Sequence, residues 1–438
     1  EFLCHLNLML ADQHIPYRNV EIVLPESQII KVFPHPPDFG VSRNQDKWVM
    51  SGKSPENGLV EVEMLVKPAV ESKFSTRSNA IEEKTVSSNS PYSIIYFLLS
   101  GLKYFLITIV LGFPVILYLI YRRSGTEKEY TVPEYLSFIP GKRKPWFVNL
   151  VFKSDPFDFD ENGFYATLLD LQRNEYIKIE PYKDEKRNEV KITHLKNSGD
   201  TDDPYEKDVL SFLQDWSQDG VFDTNKFKDR VKSLSNEQEA ISALKTRMDN
   251  IMHRAYPEYA EDIATGGRGK FYIISGAGAL LAILLYALSS GTYPIMKENA
   301  IYSGTLAIQS LFIAVFTVST LFGRWKGKYY IEKLEWEAFR KFLSDMAMIK
   351  KYIPEDVVIW KEWLIYGTAL GVGEKVVKAM NSLNVDIPEF HAAPFIFYSF
   401  HSVNNSVASA YSAATGGGQG GGGFGGGGGF GGGGAGGR

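Results

Sequence analysis

The stretch Tyr104–Tyr121, YFLITIVLGFPVILYLIY, contains no ionisable side chain beyond tyrosine. Two further runs share that character: Phe271–Leu288, FYIISGAGALLAILLYAL, and Ile301–Phe322, IYSGTLAIQSLFIAVFTVSTLF. A bilayer's hydrocarbon core takes about twenty mostly apolar helical residues, and each run reaches that length with its flanks. The sequence therefore predicts a multi-domain membrane protein with three transmembrane α-helices. Ser93–Leu102 is apolar as well, with Lys103 placed to snorkel at an interface, so the first transmembrane segment is assigned to residues 93–121. The second helix is assigned to 271–288 and the third to 301–322.

The flanking charges orient these runs, because Lys and Arg near span ends stay on the cytoplasmic side. Arg122, Arg123, Lys128, Lys142, Arg143 and Lys144 follow the first run; Arg268 and Lys270 precede the second; Arg324, Lys326 and Lys328 follow the third. Three crossings put all of them on one face. The N-terminal domain is then outside and the C-terminus cytoplasmic, with residues 289–300 as an outer loop. A two-pass reading, with the first run as a buried core helix, would place the N-terminal domain inside.

Residues 1–69 read as a β-rich extracytoplasmic domain. Val20–Leu24, Ile29–Phe33, Trp48–Ser51 and Leu59–Val66 largely alternate apolar with polar residues, separated by Pro and Gly turns, as in an antiparallel sandwich. The chain opens Glu-Phe-Leu-Cys without a charged n-region and an apolar h-region, so this domain is expected to lack upstream residues. Residues 70–92, rich in Ser, Asn and Glu, are expected to be a polar linker.

Residues 122–267 are expected to form a cytoplasmic α+β, winged-helix-like domain. Asp160 is placed to cap a helix carrying Phe164, Leu168 and Leu171. Tyr176–Glu180 and Val190–His194 alternate as two strands around the charged tip 183–188, and Tyr205–Trp216 returns to helix. Such units bind DNA through a basic recognition helix. Acidic residues outnumber basic ones here, and the whole chain carries a net charge of -4, so no nucleic-acid partner is expected.

Residues 323–412 are expected to be a cytoplasmic helical domain. One helix carries Ile331, Leu334, Ala338, Phe342, Met346 and Ile349; a second, with Pro354 at its first position, covers Val357–Met380. Gly371 and Gly373 make no phosphate fingerprint, since no strand precedes them and Val376 stands where the third glycine belongs. Residues 413–438 are expected to be a disordered Gly-rich tail, with Phe424 and Phe430 either inert or serving as contacts to a partner.

The phrase WKEWLIYGTALGVGEKV from Trp360, the upstream FRKFLSDM from Phe339 and the segment ATLLDLQRNEYI from Ala166 resemble the YciQ-like family of predicted prokaryotic membrane proteins, a domain of unknown function. The likeness extends along nearly the whole chain. It implies a cell-membrane location, an outer β domain, one span, a cytoplasmic α+β segment, a span pair, the Trp-bearing helix and a glycine-rich tail. It implies no catalytic residues and points to a LemA-type membrane protein as a partner. Two departures stand out: the usual signal peptide and first outer strands are absent, and Asn174-Glu175 stands where relatives more often have a glycine.

No catalytic, cofactor-binding or metal-ligating residue is singled out. HExxH and GxxxxGK[ST] are missing, and a single cysteine, Cys4, removes multi-cysteine sites. His5, His14, His35, His194, His253, His391 and His401 form no recognisable ligand spacing. Asp155, Asp158, Asp160 and Glu161 cluster, but capping and solvation explain them more simply than catalysis. Polar conduits usually carry ionised groups inside the membrane, and these runs hold only Gln309 and a few hydroxyls. The expected function is a non-enzymatic scaffold or sensor joining outer and cytoplasmic modules, with the lipid bilayer and protein partners on both faces. The alternative is a component of a transporter or membrane-enzyme complex whose polar pathway arises by homo-oligomerisation.

Overall fold

In the computed structural model the described residues are 3–9, 17, 19–25, 27–54, 60–67, 79–184, 187–289, 293–352 and 356–415. Strands β1 (Cys4–Met9), β2 (Val20–Pro25), β3 (Ile29–His35), β4 (Gly40–Asn44), β5 (Lys47–Gly52) and β6 (Glu61–Val66) precede helix α1 (Ile81–Ile120). Next come α2 (Pro145–Phe152), α3 (Glu161–Arg173), the hairpin β7 (Ile177–Asp184) and β8 (Arg187–His194), α4 (Pro204–Asp215), β9 (Val221–Asp223), α5 (Thr224–Ser233) and α6 (Gln238–His253). The turn α7 (Glu258–Glu261) and β10 (Ala264–Thr265) lead into α8 (Arg268–Ala287) and α9 (Ile295–Phe316), after which the chain returns through β11 (Arg324–Trp325). Helices α10 (Tyr329–Ser344), α11 (Met346–Lys351), α12 (Val357–Ala369), α13 (Gly373–Ser382) and α14 (Ala393–Ala414) complete it.

The chain divides into two compact units, Glu1–Thr126 with Gly266–Gly323, and Glu127–Thr265 with Arg324–Arg438. In the first unit, two antiparallel sheets, ordered β1-β6-β3 and β2-β5-β4, share a core of Ile22, Met50, Val62, Met64 and Val66. The two-residue period of β6 turns Glu61 and Glu63 to the other face. There α1 begins: Lys31 pairs with Glu82 at 2.9 Å, and Asn89 Nδ2 donates to Glu63 Oε2 at 2.8 Å. Residues 81–92, expected as linker, are therefore helical, because Thr85 and Asn89 are buried. The 40 residues of α1 extend roughly 60 Å, well beyond an apolar layer of about 30 Å.

Helices α1, α8 and α9 are long and apolar enough to cross a membrane. Small residues bring α8 and α9 together: a Cβ on Gly278 would lie 3.2 Å from Ala307 Cβ, and Ser303 Oγ donates to Gly278 O at 2.8 Å. Gly276, also a candidate for this contact, has open space instead. Helix α9 starts at Ile295 and stops at Phe316, so the expected third span shifts toward the N-terminus and residues 295–300 leave the expected loop. It stops there because Thr317 turns extended and Arg268 Nε donates to Thr317 O at 2.6 Å, a cation at a helix C-terminus. Lys103, read as snorkelling, pairs with Glu298.

The second unit joins the segments expected as two separate cytoplasmic domains. One continuous core includes Phe164, Ile192, Phe222, Trp336, Trp363 and Phe400. β10 and β11 pair where the chain leaves and re-enters this unit. Ile177, Ile179, Val190 and Ile192 point inward from the hairpin, and β9 extends its sheet. Helix α14 closes the core: Phe400 packs edge-on to Phe164 at 5.0 Å and stacks on Phe222 at 6.0 Å. Residues 413–414, assigned to the tail, belong to this helix; 416–438, Pro354 and His14 lie outside the described residues.

The single helix expected over Val357–Met380 is two. Gly371 adopts a left-handed φ of 75°, Val372 N donates to Gly367 O at 2.7 Å and Gly371 N to Thr368 O at 2.9 Å. These are the two bonds of a Schellman stop, which ends α12 before α13 restarts. The N-cap of α12 is Asp356, whose side chain accepts from Val358 N.

Candidate functional site in the second unit

The site is built around Asp160. Its carboxylate caps α3 by accepting from Asn162 N at 3.1 Å. Asn149, fully buried on α2, donates to Asp160 Oδ1 at 2.8 Å and to Ala369 O at 2.9 Å, and accepts from Asp160 N at 3.0 Å. Lys153 pairs with the same carboxylate. Asp160 thus ties the start of α3 to α2, and Asn149 carries the link on to the end of α12. Burial, and after it the charge of Arg340, pull the Lys153 ammonium down to about 8.

The Gly371-Val-Gly373 turn rests on this network. A Cβ on Gly371 would come within 2.9 Å of Lys153 Cε, and one on Gly373 within 2.4 Å of Thr368 Oγ1. Glycine is needed at 371 for its φ of 75° and at 373 for space, since Thr368 Cα is also within 3.0 Å there. The turn borders a cleft of about 600 Å³ between α3, α13 and α14. Tyr165, Phe397 and Tyr398 supply aromatic surface; Glu161, Glu374, Lys378 and His401 supply charge and polarity. Tyr165 and Phe397 meet edge-on at 5.1 Å. The Tyr165 hydroxyl donates to Glu161 Oε2 at 3.1 Å, and burial, then Glu161, raise its pKa well above that of a free phenol. Among the described residues, Thr368 Oγ1 bonds only to Leu364 O, so no base stands ready to activate it. The arrangement is suited to holding a ligand with polar and aromatic parts.

Residues 132–380 match the C-terminal domain of a predicted membrane protein family, DUF2207. The chain belongs to this DUF2207 family. The matched segment covers more than half of the chain, and the Asp160 network and most of the cleft wall of this DUF2207 protein lie within it. No curated protein and no solved structure matches the chain.

The four clustered acids do not converge. Asp155 is buried, Asp158 is exposed, Asp160 caps α3 and Glu161 holds Tyr165. His194 bonds to Ser217 at 2.9 Å and is shifted to a lower pKa by burial. His391 pairs with Asp386, His253 is exposed and His401 borders the cleft. His5 and His35, far apart in sequence, approach one carboxylate, Glu63, at 3.1 and 3.5 Å. Lys153, Asn149 and Lys378 were not singled out by sequence, since none sits in a motif.

Proposed function

We propose that this membrane protein is a non-enzymatic scaffold or sensor, with its N-terminal β domain outside the cell and its DUF2207 domain and C-terminus in the cytoplasm. One observation carries the reading: the polar side chains buried along α9 are neutral, and two of them, Asn299 and Ser303, bond to neighbouring helices, whereas charged groups collect around a cleft in the second unit. Asn299 Nδ2 donates to Leu99 O at 2.9 Å and Ser303 Oγ to Gly278 O at 2.8 Å. Such bonds hold helices together and build no conduit. The α3–hairpin–α4 segment is read as a winged-helix-like module for protein rather than nucleic-acid contacts, and the cleft as the place where a partner segment or small ligand is held. A LemA-type membrane protein is one such partner.

The test uses the full chain in mild detergent with cross-linking. Lys378→Glu reverses an exposed cleft charge and should remove a specific cross-linked partner while leaving stability within about 0.5 kcal/mol. An unchanged partner set counts against the reading. Orientation is checked with the chain's only cysteine: Cys4 should react with a membrane-impermeant maleimide in intact cells, and protection until lysis would reverse the topology.

A second reading, a polar pathway formed by oligomers, draws on Asn299 Oδ1, Gln309 Oε1 and Ser310 Oγ, buried atoms of α9 with no hydrogen-bond partner among the described residues. Solute flux in liposomes that depends on Gln309 would favour it.

A further inference from the structure

We propose that the N-terminal β domain carries a divalent transition-metal site formed by His35, Glu61 and Glu63. Strand register creates it: His35 on β3 lies opposite Glu61 on β6, and Glu63 follows two residues later on the same face. One ligand atom from each residue lies within 4.8 Å of the others, and no other group of three such side chains does so among the described residues.

Three observations point to a cation. First, His35 Nε2 is buried and has no hydrogen-bond partner among the described residues, although Glu63 Oε1 is 3.5 Å away. Bonds of about 2.0–2.2 Å from zinc to nitrogen and oxygen place two ligands of a tetrahedral ion roughly 3.4 Å apart, so this separation fits a shared metal better than a hydrogen bond. Second, two half-buried carboxylates stand side by side with imidazoles as their only basic neighbours and no lysine or arginine partner among the described residues: His5 Nε2 is 3.1 Å from Glu63 Oε2, on the opposite side of that carboxylate from His35, and Lys31, on the same face, pairs with Glu82 instead. Third, amide donors orient both acids on their Oε2 atoms: Asn7 to Glu61 at 3.2 Å and Asn89 to Glu63 at 2.8 Å. Outer hydrogen bonds of this kind are what aim ligating carboxylates at a metal. One imidazole with two carboxylates suits Zn²⁺ and its first-row neighbours, and leaves a coordination position for water or a further ligand.

The site has a mechanical consequence. Asn89 belongs to α1, so an ion on Glu63 tightens the same carboxylate that ties the sheet to the helix. Metal occupancy would then be felt at the start of a helix that continues into a membrane span.

The experiment titrates Zn²⁺ and Co²⁺ into the metal-stripped full chain in detergent, reading stoichiometry by elemental analysis, cobalt ligation by absorption, and the unfolding midpoint. The expected result is one equivalent bound, a zinc-dependent rise in midpoint, and at least tenfold weaker binding in His35→Ala and Glu63→Gln. Glu61→Gln supplies a second readout. It should abolish the zinc-dependent rise while leaving the metal-free midpoint unchanged or higher, since it relieves repulsion between two acids. Absence of stoichiometric binding by the unaltered chain overturns the proposal, as does binding that these three substitutions leave unchanged. Should a variant fail to fold, the unaltered chain still decides: cobalt spectra without nitrogen ligation, or no midpoint shift, overturn it.

Discussion

The helical bundle of the first unit and the core of the second are built inside out relative to each other. In the bundle, Phe97, Leu111, Ile273 and Phe316 point outward with relative exposures of 77%, 76%, 73% and 73%, while Gly278, Ser303, Ala307 and Ser310 meet inside. In the second unit Trp336, Trp360 and Trp363 are buried, and the charged side chains that are buried with them include the Lys228–Glu189 ion pair. The same rule, that apolar surface avoids water, gives opposite patterns because the bundle's surroundings are lipid. Packing energy is therefore concentrated in large side chains in one region and in close backbone approach in the other.

The largest effect that tests this contrast is loss of a core indole. Trp336 is fully buried, stacked on Phe152 at 5.9 Å and tilted against Tyr366 at 5.5 Å. Trp336→Ala should destabilise the second unit by about 3–5 kcal/mol, measured by denaturant unfolding followed by proteolysis of that unit. Phe97→Ala, at an outward position, should fall within about 0.5 kcal/mol of the unaltered chain. Equal losses at the two sites would mean that the bundle buries its large side chains too.

Next comes the sign of the solvent. Leu111→Asp puts a carboxylate near the middle of the first apolar run and should cost about 3 kcal/mol in membrane insertion. Leu195, 54% exposed in the second unit, should accept the same change within about 0.5 kcal/mol. A glycosylation-based insertion assay for the first and thermal unfolding for the second separate the cases. If Leu111→Asp inserts as well as the unaltered helix, α1 does not face lipid there.

A smaller effect is confined to one helix. Gly278→Val forces α8 away from α9, at about 1–3 kcal/mol, because its Cβ would meet Ala307 Cβ and Ser303 O at 3.2 Å. Gly276→Val, into open space, should leave the detergent unfolding midpoint unchanged. A matching drop for both would show that helix flexibility, rather than packing, is what glycine supplies.

Local pattern made parts of this molecule legible. The apolar runs, the Asp160 cap, the alternation of Ile177, Ile179, Val190 and Ile192, and the helix over Pro204–Asp215 each depend on neighbours within a dozen residues. Longer-range features were hidden. The single core of the second unit is split in sequence by the α8–α9 hairpin, so its two parts read as separate domains. Helix α14 did carry a signal, Ile396, Phe400, Val403, Val407 and Ala410 at helical spacing, all buried. Gly371 announced the helix stop only through its φ of 75°, which composition does not reveal. His35, Glu61 and Glu63 become neighbours through the register of β3 against β6, and no spacing rule along the chain brings them together.

The finest test asks how much charge the second unit tolerates in its interior, where the bundle has none among its described residues. Lys153 titrates at about 8 in the folded chain against 10.5 when free. Between those values the unfolded chain binds more protons than the folded one, so stability rises as pH increases from about 8 to 10.5 and is insensitive to this group below that window. Lys153→Met should remove that part of the rise. Its absolute stability should also fall, because Asp160 loses its cationic partner while still capping α3 and bonding to Asn149. Unfolding midpoints of the second unit across the window, in both proteins, give the difference in slope. Identical slopes would mean that Lys153 is as hydrated as a surface lysine, and that the Asp160 network is open to water rather than a buried charge pair behind the cleft.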